Sequence, residues 1–580
     1  MRRVLSAMSL IAWVNLSASD ELYQLFDDYW ATQMKNNPFS ATGSGVQDYN
    51  HLVPDVSSEA IAERVESAKL FHSKLAELDL SQSSESDRTS AQILSFILSK
   101  AIEEAEFDSW RIPFVSDSGF HNSFGYVVSS TPFRTEKDYQ NYLQRLEALP
   151  GYYEQNVENM RAGLAVGFSQ PKEILGNVLP SFEALAGNDV DEHPFFAPFK
   201  RIPSTIPKAA SDQLIQEGRR LINMQVIPSH QKLVRFMKEE YIPQARETLG
   251  ASSLPDGEAY YAYLVRYFTT LDDETAESVH NRGLSEVARI RKEMEAIIEQ
   301  VEFEGSFDEF LHFLRTDPQF YPKTVGELLQ RASWIAKKTD GKLPAFFGKL
   351  PRQPYSVEPV PAELAPNYTA GRYSPAPPGS DRGGQYWVNT YALHTRTLYQ
   401  LVALTLHEGV PGHHLQISLA YEIEDAPEFR KQYYPHAFGE GWGLYSEKLG
   451  VEMGMYETPY DDFGRLSYEM WRACRLVVDT GIHAFGWSRQ KAVDFLAANT
   501  ALSLHEVGTE IDRYIAWPGQ ALAYKMGELT IWELRAKAES ALGDEFDIRT
   551  FHDAVLVQGG VPLEVLRKQI DRYIEENSGD

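Results

Sequence analysis

Leu398-Tyr-Gln-Leu-Val-Ala-Leu-Thr-Leu-His-Glu-Gly-Val-Pro-Gly-His-His-Leu-Gln416 is an apolar helical run that delivers His407 and Glu408 side by side and then meets Pro411, Gly412 and two further histidines. Neutral imidazoles are good zinc ligands, and a carboxylate beside the first can take a proton from an activated water and pass it to a leaving amine. In the simple His-Glu-x-x-His pattern both histidines lie four residues apart on one helical face. Here Pro411 holds the fourth position, while His413 and His414 hold the sixth and seventh. Proline and glycine interrupt a helix, so Gly409-Val-Pro-Gly412 reads as an insertion that brings one of the two histidines back to the site.

A third, carboxylate ligand is usual in such sites, with the fourth position left to water. Glu440 is the candidate, in Phe438-Gly-Glu-Gly-Trp-Gly-Leu-Tyr-Ser-Glu-Lys-Leu449, and one Zn2+ per chain is expected. Glu447, two helical turns after Glu440, falls on the same side and is placed to orient a ligand. Between Trp471 and Trp487, Asp479 and His483 are four apart, a spacing that lets Asp479 fix the ring of His483 as an oxyanion donor, and Arg475 is read as substrate-binding. Further on, Tyr514 and Tyr524 could donate to an oxyanion, while Gln520 and Lys525 could grip a substrate carboxylate. Gly383-Gly-Gln-Tyr-Trp-Val-Asn-Thr390 is β-prone, and a strand carrying Tyr386 beside the catalytic helix could pair with an extended peptide. Plain packing is the competing account of each of these supporting residues.

Outward from this region the pattern is helical. Glu21 to Ala162 and Ser211 to Ala336 show apolar residues at helical spacing, and Glu274 to Glu302 reads as one long amphipathic helix. Ser116 to Phe133 and the proline-dense Leu350 to Gly379 read as loops. The expectation is a mainly α, two-lobed zincin-like fold with a deep cleft and a small β element near the site. Its lobes span about 20–340 and 341–580.

The formal charge of −27, from 82 acidic and 55 basic residues among 580, disfavours nucleic acid as a partner. Arg2-Arg3, the apolar stretch Val4 to Leu16 and Ser17-Ala-Ser19 read as a secretory signal over residues 1–19, with no stable membrane insertion after its removal. The one cysteine, Cys474, permits no intramolecular disulfide and does not adjoin the signal, which favours an exported protein of a bacterial periplasm.

His407 to Gln416 and Phe438 to Glu447 resemble the signatures of the bacterial family catalogued as domain of unknown function 885. Members of that family resemble the gluzincin metallopeptidases, including the helical angiotensin-converting-enzyme-like and thimet-like peptidases. The resemblance implies His407, His413 and Glu440 as ligands, since the second histidine of such proteins commonly follows a glycine, as His413 follows Gly412. It also implies Glu408 as general base and then acid in hydrolysis of short or unfolded peptides. Two rivals stand beside it: a metal-dependent amidohydrolase acting on non-peptide or cell-wall amides, and a catalytically silent periplasmic binding protein.

Overall fold

Helices carry most of the chain in the computed structural model, which describes residues 18–578 apart from 188, 363–364, 366–367 and 377–381. Most of the expected signal, and Pro377 and Pro378 of the proline-dense stretch, lie outside the described residues. Helix starts follow capping chemistry. Thr135, Thr275, Ser306 and Thr458 each accept the amide three residues on, and that residue's side chain returns the bond. These boxes open Glu136–Val166, α1 (Ala276–Gln300), Phe307–Thr316 and, later in the chain, Pro459–His483. The long helix expected between Glu274 and Glu302 is thus α1.

One core gathers aromatic residues between Phe114 and Ala245. A second draws on both ends of the chain, from Leu22 and Phe26 to Leu566 and Tyr573. The stretch expected to loop from Ser116 to Phe133 contains a helix, Ser123–Ser130, whose Phe124 and Val127 are buried in the first core.

A three-stranded sheet lies before the metal-site region: β1 (Tyr355–Pro359), β2 (Gly371–Ser374) and β3 (Gly384–Val388), in the order β1-β3-β2. Tyr386 of β3 stands opposite Val357 in parallel and Tyr373 in antiparallel register. Two strands therefore occupy the stretch expected to be loop. Proline bars helix there but not strand, and the only proline inside β1 and β2 is Pro359, at the end of β1. A second correction concerns β3: it is the central strand, so neither edge is free to pair with a peptide. Among the described residues, the edge strand next to the site is β2.

The site itself is built from α2 (Leu401–Glu408), α3 (His413–Tyr421), α4 (His436–Glu452), α5 (Pro459–His483), α6 (Leu504–Ala516) and α7 (Ala523–Leu542). α5 is buried almost continuously from Phe463 to His483, as a helix at the centre of a large core must be. Charge ties it to its neighbours. The Lys525 ammonium on α7 meets Glu469 of α5 at 2.8 Å, Glu286 of α1 at 3.0 Å and Glu528 at 2.6 Å, and Arg465 reaches Glu469 at 2.9 Å. Burial opposes charge on Lys525, but the three carboxylates outweigh it and raise its pKa. Among the described residues no helix is long and apolar enough to cross a membrane.

Lys525→Met would leave the Glu528 carboxylate buried without a partner, and removing one member of a buried ion pair costs about 3–5 kcal/mol. The expected outcome is a lowered urea midpoint, partly restored when Glu528→Gln is added to the same chain.

Candidate metal centre

α2 ends on the reactive pair. Its apolar residues other than Leu404 are buried, Thr405 returns its hydroxyl to Leu401 O, and adjacent His407 and Glu408 project about 100° apart. His407 Nδ1–H donates to Glu447 Oε1 at 2.7 Å, which fixes the ring and leaves Nε2 facing Glu440 Oε2 at 3.5 Å. Burial disfavours a charged His407, but Glu440 and Glu447 on its two nitrogens outweigh this and lift its pKa to about 10. Burial would raise the Glu440 carboxyl, yet His407 and His413 hold it well below the usual carboxylate range. A centre so arranged stabilises positive charge.

The helix breaks after Glu408. Gly412 N bonds to Leu406 O at 3.0 Å, so close an approach that a Cβ on Gly412 would lie 2.0 Å from His407 O. The buried Trp442 indole donates to Pro411 O at 2.8 Å and holds the junction against α4. α3 then begins at His413, whose Nε2 lies 3.6 Å from Glu440 Oε2. α4 can bring Glu440 this near because Gly443 passes under the His407 ring, where a Cβ would meet Cε1 at 2.5 Å.

Candidate ligand atoms of His407, His413 and Glu440 all lie within 4.8 Å of one another. A tetrahedral site with zinc–ligand bonds near 2.1 Å spaces its ligands by about 3.4 Å, close to the separations from Glu440 Oε2. The donor set, two imidazoles and one carboxylate, suits zinc. His414 turns away: its Nδ1 meets the Tyr373 hydroxyl at 2.9 Å, its ring lies against Tyr355, and burial lowers its pKa to about 4.

The three residues open onto a cleft of about 780 Å³ that Glu408, Tyr434, Tyr524 and Arg475 also line. Glu408 Oε2 accepts the Tyr373 amide of β2 at 2.7 Å, which anchors the carboxylate beside the site.

Residues 38–570 match the family described as bacterial protein of unknown function, DUF885. The chain belongs to this family. No curated protein matches it. Among solved structures, a candidate lipoprotein of Colwellia psychrerythraea is 28% identical, with a TM-score of 0.91 over 97% of this chain and 100% of that one. A candidate lipoprotein of unknown function from Shewanella oneidensis, 18% identical, has the same fold, with a TM-score of 0.72 over 95% of this chain and 99% of that one.

Several residues singled out in the sequence stand elsewhere than at the cleft. His483 and Asp479 do not pair: Asp479 accepts from the Tyr261 hydroxyl at 2.6 Å and the Gly519 amide, while His483 lies between Ala251 N and Tyr514 O. Both are fully buried, and burial takes His483 down to about 3 and Asp479 up to about 7. Tyr514 accepts from Arg475 Nε and Trp471 Nε1, so it positions rather than touches what enters the cleft. Gln520 accepts from Arg513, and Tyr386 is buried against Thr405. Lys525 is saturated by its carboxylates. Conversely, the sequence reading missed Tyr373, Tyr434 and Arg472. Tyr433-Tyr434-Pro-His436, just before α4, was the available signal for Tyr434.

The purified protein is expected to hold about one zinc after dialysis, measured by plasma mass spectrometry. His413→Ala and Glu440→Ala should lose it and His414→Ala keep it, while Glu447→Gln weakens affinity about 10–100-fold.

Proposed function

We propose that the protein is a zinc metallopeptidase that hydrolyses peptide bonds in short or unfolded peptides. The observation carrying this reading is the convergence of His407, His413 and Glu440 with Glu408 beside them at the floor of a deep cleft. Two histidines and a glutamate with a position left open is the ligand set of zinc peptidases such as thermolysin. The likeness of the two sequence signatures to those of gluzincins supports the same reading.

Zinc held by the three residues would supply Lewis acidity and lower the pKa of water. The remaining work falls to the chain. Glu408, anchored through Oε2 by the Tyr373 amide, keeps Oε1 free among the described residues to take a proton from the attacking water and pass it to the leaving nitrogen. Tyr434 and Tyr524 line the cleft, and a phenol hydroxyl of either could donate to the oxygen that gains charge as the carbonyl is attacked; in this structure Tyr434 donates to Glu440 Oε1 at 3.5 Å. The outer edge of β2, apart from the Tyr373 amide that Glu408 holds, could pair with an extended peptide. A cleft of this size admits a peptide segment and excludes a folded domain.

The names of the two structural relatives, both candidate lipoproteins, support an exported location, and a bacterial periplasm is the setting we infer. Here Cys474 is buried within α5.

A peptide library incubated with the zinc-loaded protein, with products read by mass spectrometry, tests the reading. Glu408→Gln is expected to keep its zinc and lose about 10²–10⁴-fold in turnover. Cleavage of no peptide by the zinc-loaded wild type, or an unchanged rate in Glu408→Gln, would sink it.

A further inference from the structure

α5 forms one wall of the cleft. Tyr468, Trp471, Arg472 and Arg475 recur at three- and four-residue spacing, so they share a face of the helix, and all four line the cavity. The guanidinium carbons of Arg472 and Arg475 lie 4.4 and 4.5 Å from the Trp471 ring centroid. Arg475 is otherwise engaged: Nε donates to Tyr514 at 2.9 Å, Nη2 meets Glu510 at 3.2 Å, and its plane covers Tyr524 at 4.3 Å, leaving Nη1 without a partner.

Arg472 differs. It is 8% exposed, has no carboxylate partner among the described residues, and makes one long bond, from Nη1 to Tyr468 O at 3.4 Å. Its Nε is buried and unpartnered, and Nη2 makes no hydrogen bond among the described residues. A buried cation without a counter-ion is costly. Other buried arginines that lack a carboxylate show how the chain avoids this cost. Arg145 donates to Leu52 O, Pro38 O, Tyr49 O and the Thr42 hydroxyl, and Arg430 is held by Ser86, Ser90 and Gln558. Arg472 lines the cleft with guanidinium donors left unused, and a guanidinium matches the two oxygens of a carboxylate.

We propose that Arg472, with Arg475 beside it, is a carboxylate-binding subsite that takes the free C-terminal carboxylate of the peptide. The identity of the substrate rests on the peptidase reading above; the carboxylate site does not. Glu506 and Glu510 line the same cleft and would repel a doubly charged phosphate more than a singly charged carboxylate. Tyr524 joins this subsite to the metal centre: Arg475 covers its ring, and it lines the same cleft as Tyr434 and Glu440. A peptide anchored here by its end presents a bond near its C-terminus to Glu408, so the enzyme acts as a carboxypeptidase or removes a short C-terminal fragment.

The test uses the full, zinc-loaded chain carrying Glu408→Gln, titrated calorimetrically with acetyl-tetra-alanine as free acid and as amide, and with an amide containing one internal glutamate. The free acid should bind about tenfold or more tightly than the plain amide, as expected for hydrogen bonds to a charged group. Arg472→Gln should erase that difference and leave the amide's affinity unchanged, which also checks the fold, and Arg472→Lys should restore part of it. Equal affinity for acid and amide, or a preference that survives Arg472→Gln, overturns the proposal. A preference for the internal-glutamate amide over the free acid overturns the C-terminal assignment. Wild-type protein that binds acids selectively but cleaves nothing defeats the peptidase reading alone; cleavage of acid and amide alike defeats the subsite alone.

Discussion

Between α2 and α4, where water is excluded, the Nδ1–H of His407 donates to Glu447 at 2.7 Å. An imidazole has two nitrogens and two ring orientations; a carboxylate on one nitrogen selects both the tautomer and the face presented to the metal. Glu447 can do this only if α4 runs close beneath α2, which Gly443 permits by leaving room for the ring. The same pair of helices carries Glu440, and Tyr456 adds a 2.6 Å bond to Glu447 O that steadies α4. Ligand orientation and helix packing are therefore a single constraint. A change that moves α4 by an ångström moves Glu440, a candidate ligand, together with Glu447, which orients the His407 ring.

Charge is buried in two contrasting ways around this constraint. Lys525, Glu469, Glu286, Glu528 and the arginines near them form a closed set in which every ion has opposite neighbours. That set joins α1, α5 and α7, and none of its members lines the cleft. Arg472, one turn on from Glu469 along α5, lines the cleft and has no anion among the described residues. The saturated set makes the helix a rigid wall, and a rigid wall can hold an unpaired guanidinium in place until something enters the cleft to meet it.

The helical class, the pairing of His407 with Glu408, and Glu440 and Glu447 at the site were all legible in the sequence, because each depends on spacing along one helix or on a run of apolar residues. What was not legible depends on contacts between distant segments. Asp479 and His483 have the spacing of a helical pair, yet Tyr261 and the Gly519 amide claim the first, and Ala251 and Tyr514 the second. Lys525 lies in a polar stretch that resembles a cleft lining until Glu286, more than two hundred residues away, is seen to meet it. β2 was hidden because Gly371-Arg-Tyr-Ser374 is short and set among prolines, and its importance comes from one backbone amide that reaches Glu408.

The insertion in the histidine motif follows from the same dependence on α4. With four-residue spacing, one helix's pitch alone places both imidazoles. Here the helix stops at Glu408, so the position of His413 is set by the turn between α2 and α3. Backbone bonds from Gly412 to Leu406 and from His414 to Gly409 satisfy most of that turn, and the remaining carbonyl of Pro411 is taken by Trp442. A buried carbonyl left without a donor costs about 1–3 kcal/mol, enough to favour another course of the chain. α4 thus supplies Glu440 directly and His413 indirectly, through an indole two residues from the ligand. The longer spacing exchanges a geometry guaranteed by helix pitch for one guaranteed by tertiary packing, and the candidate metal centre can be assembled only once α4 has docked.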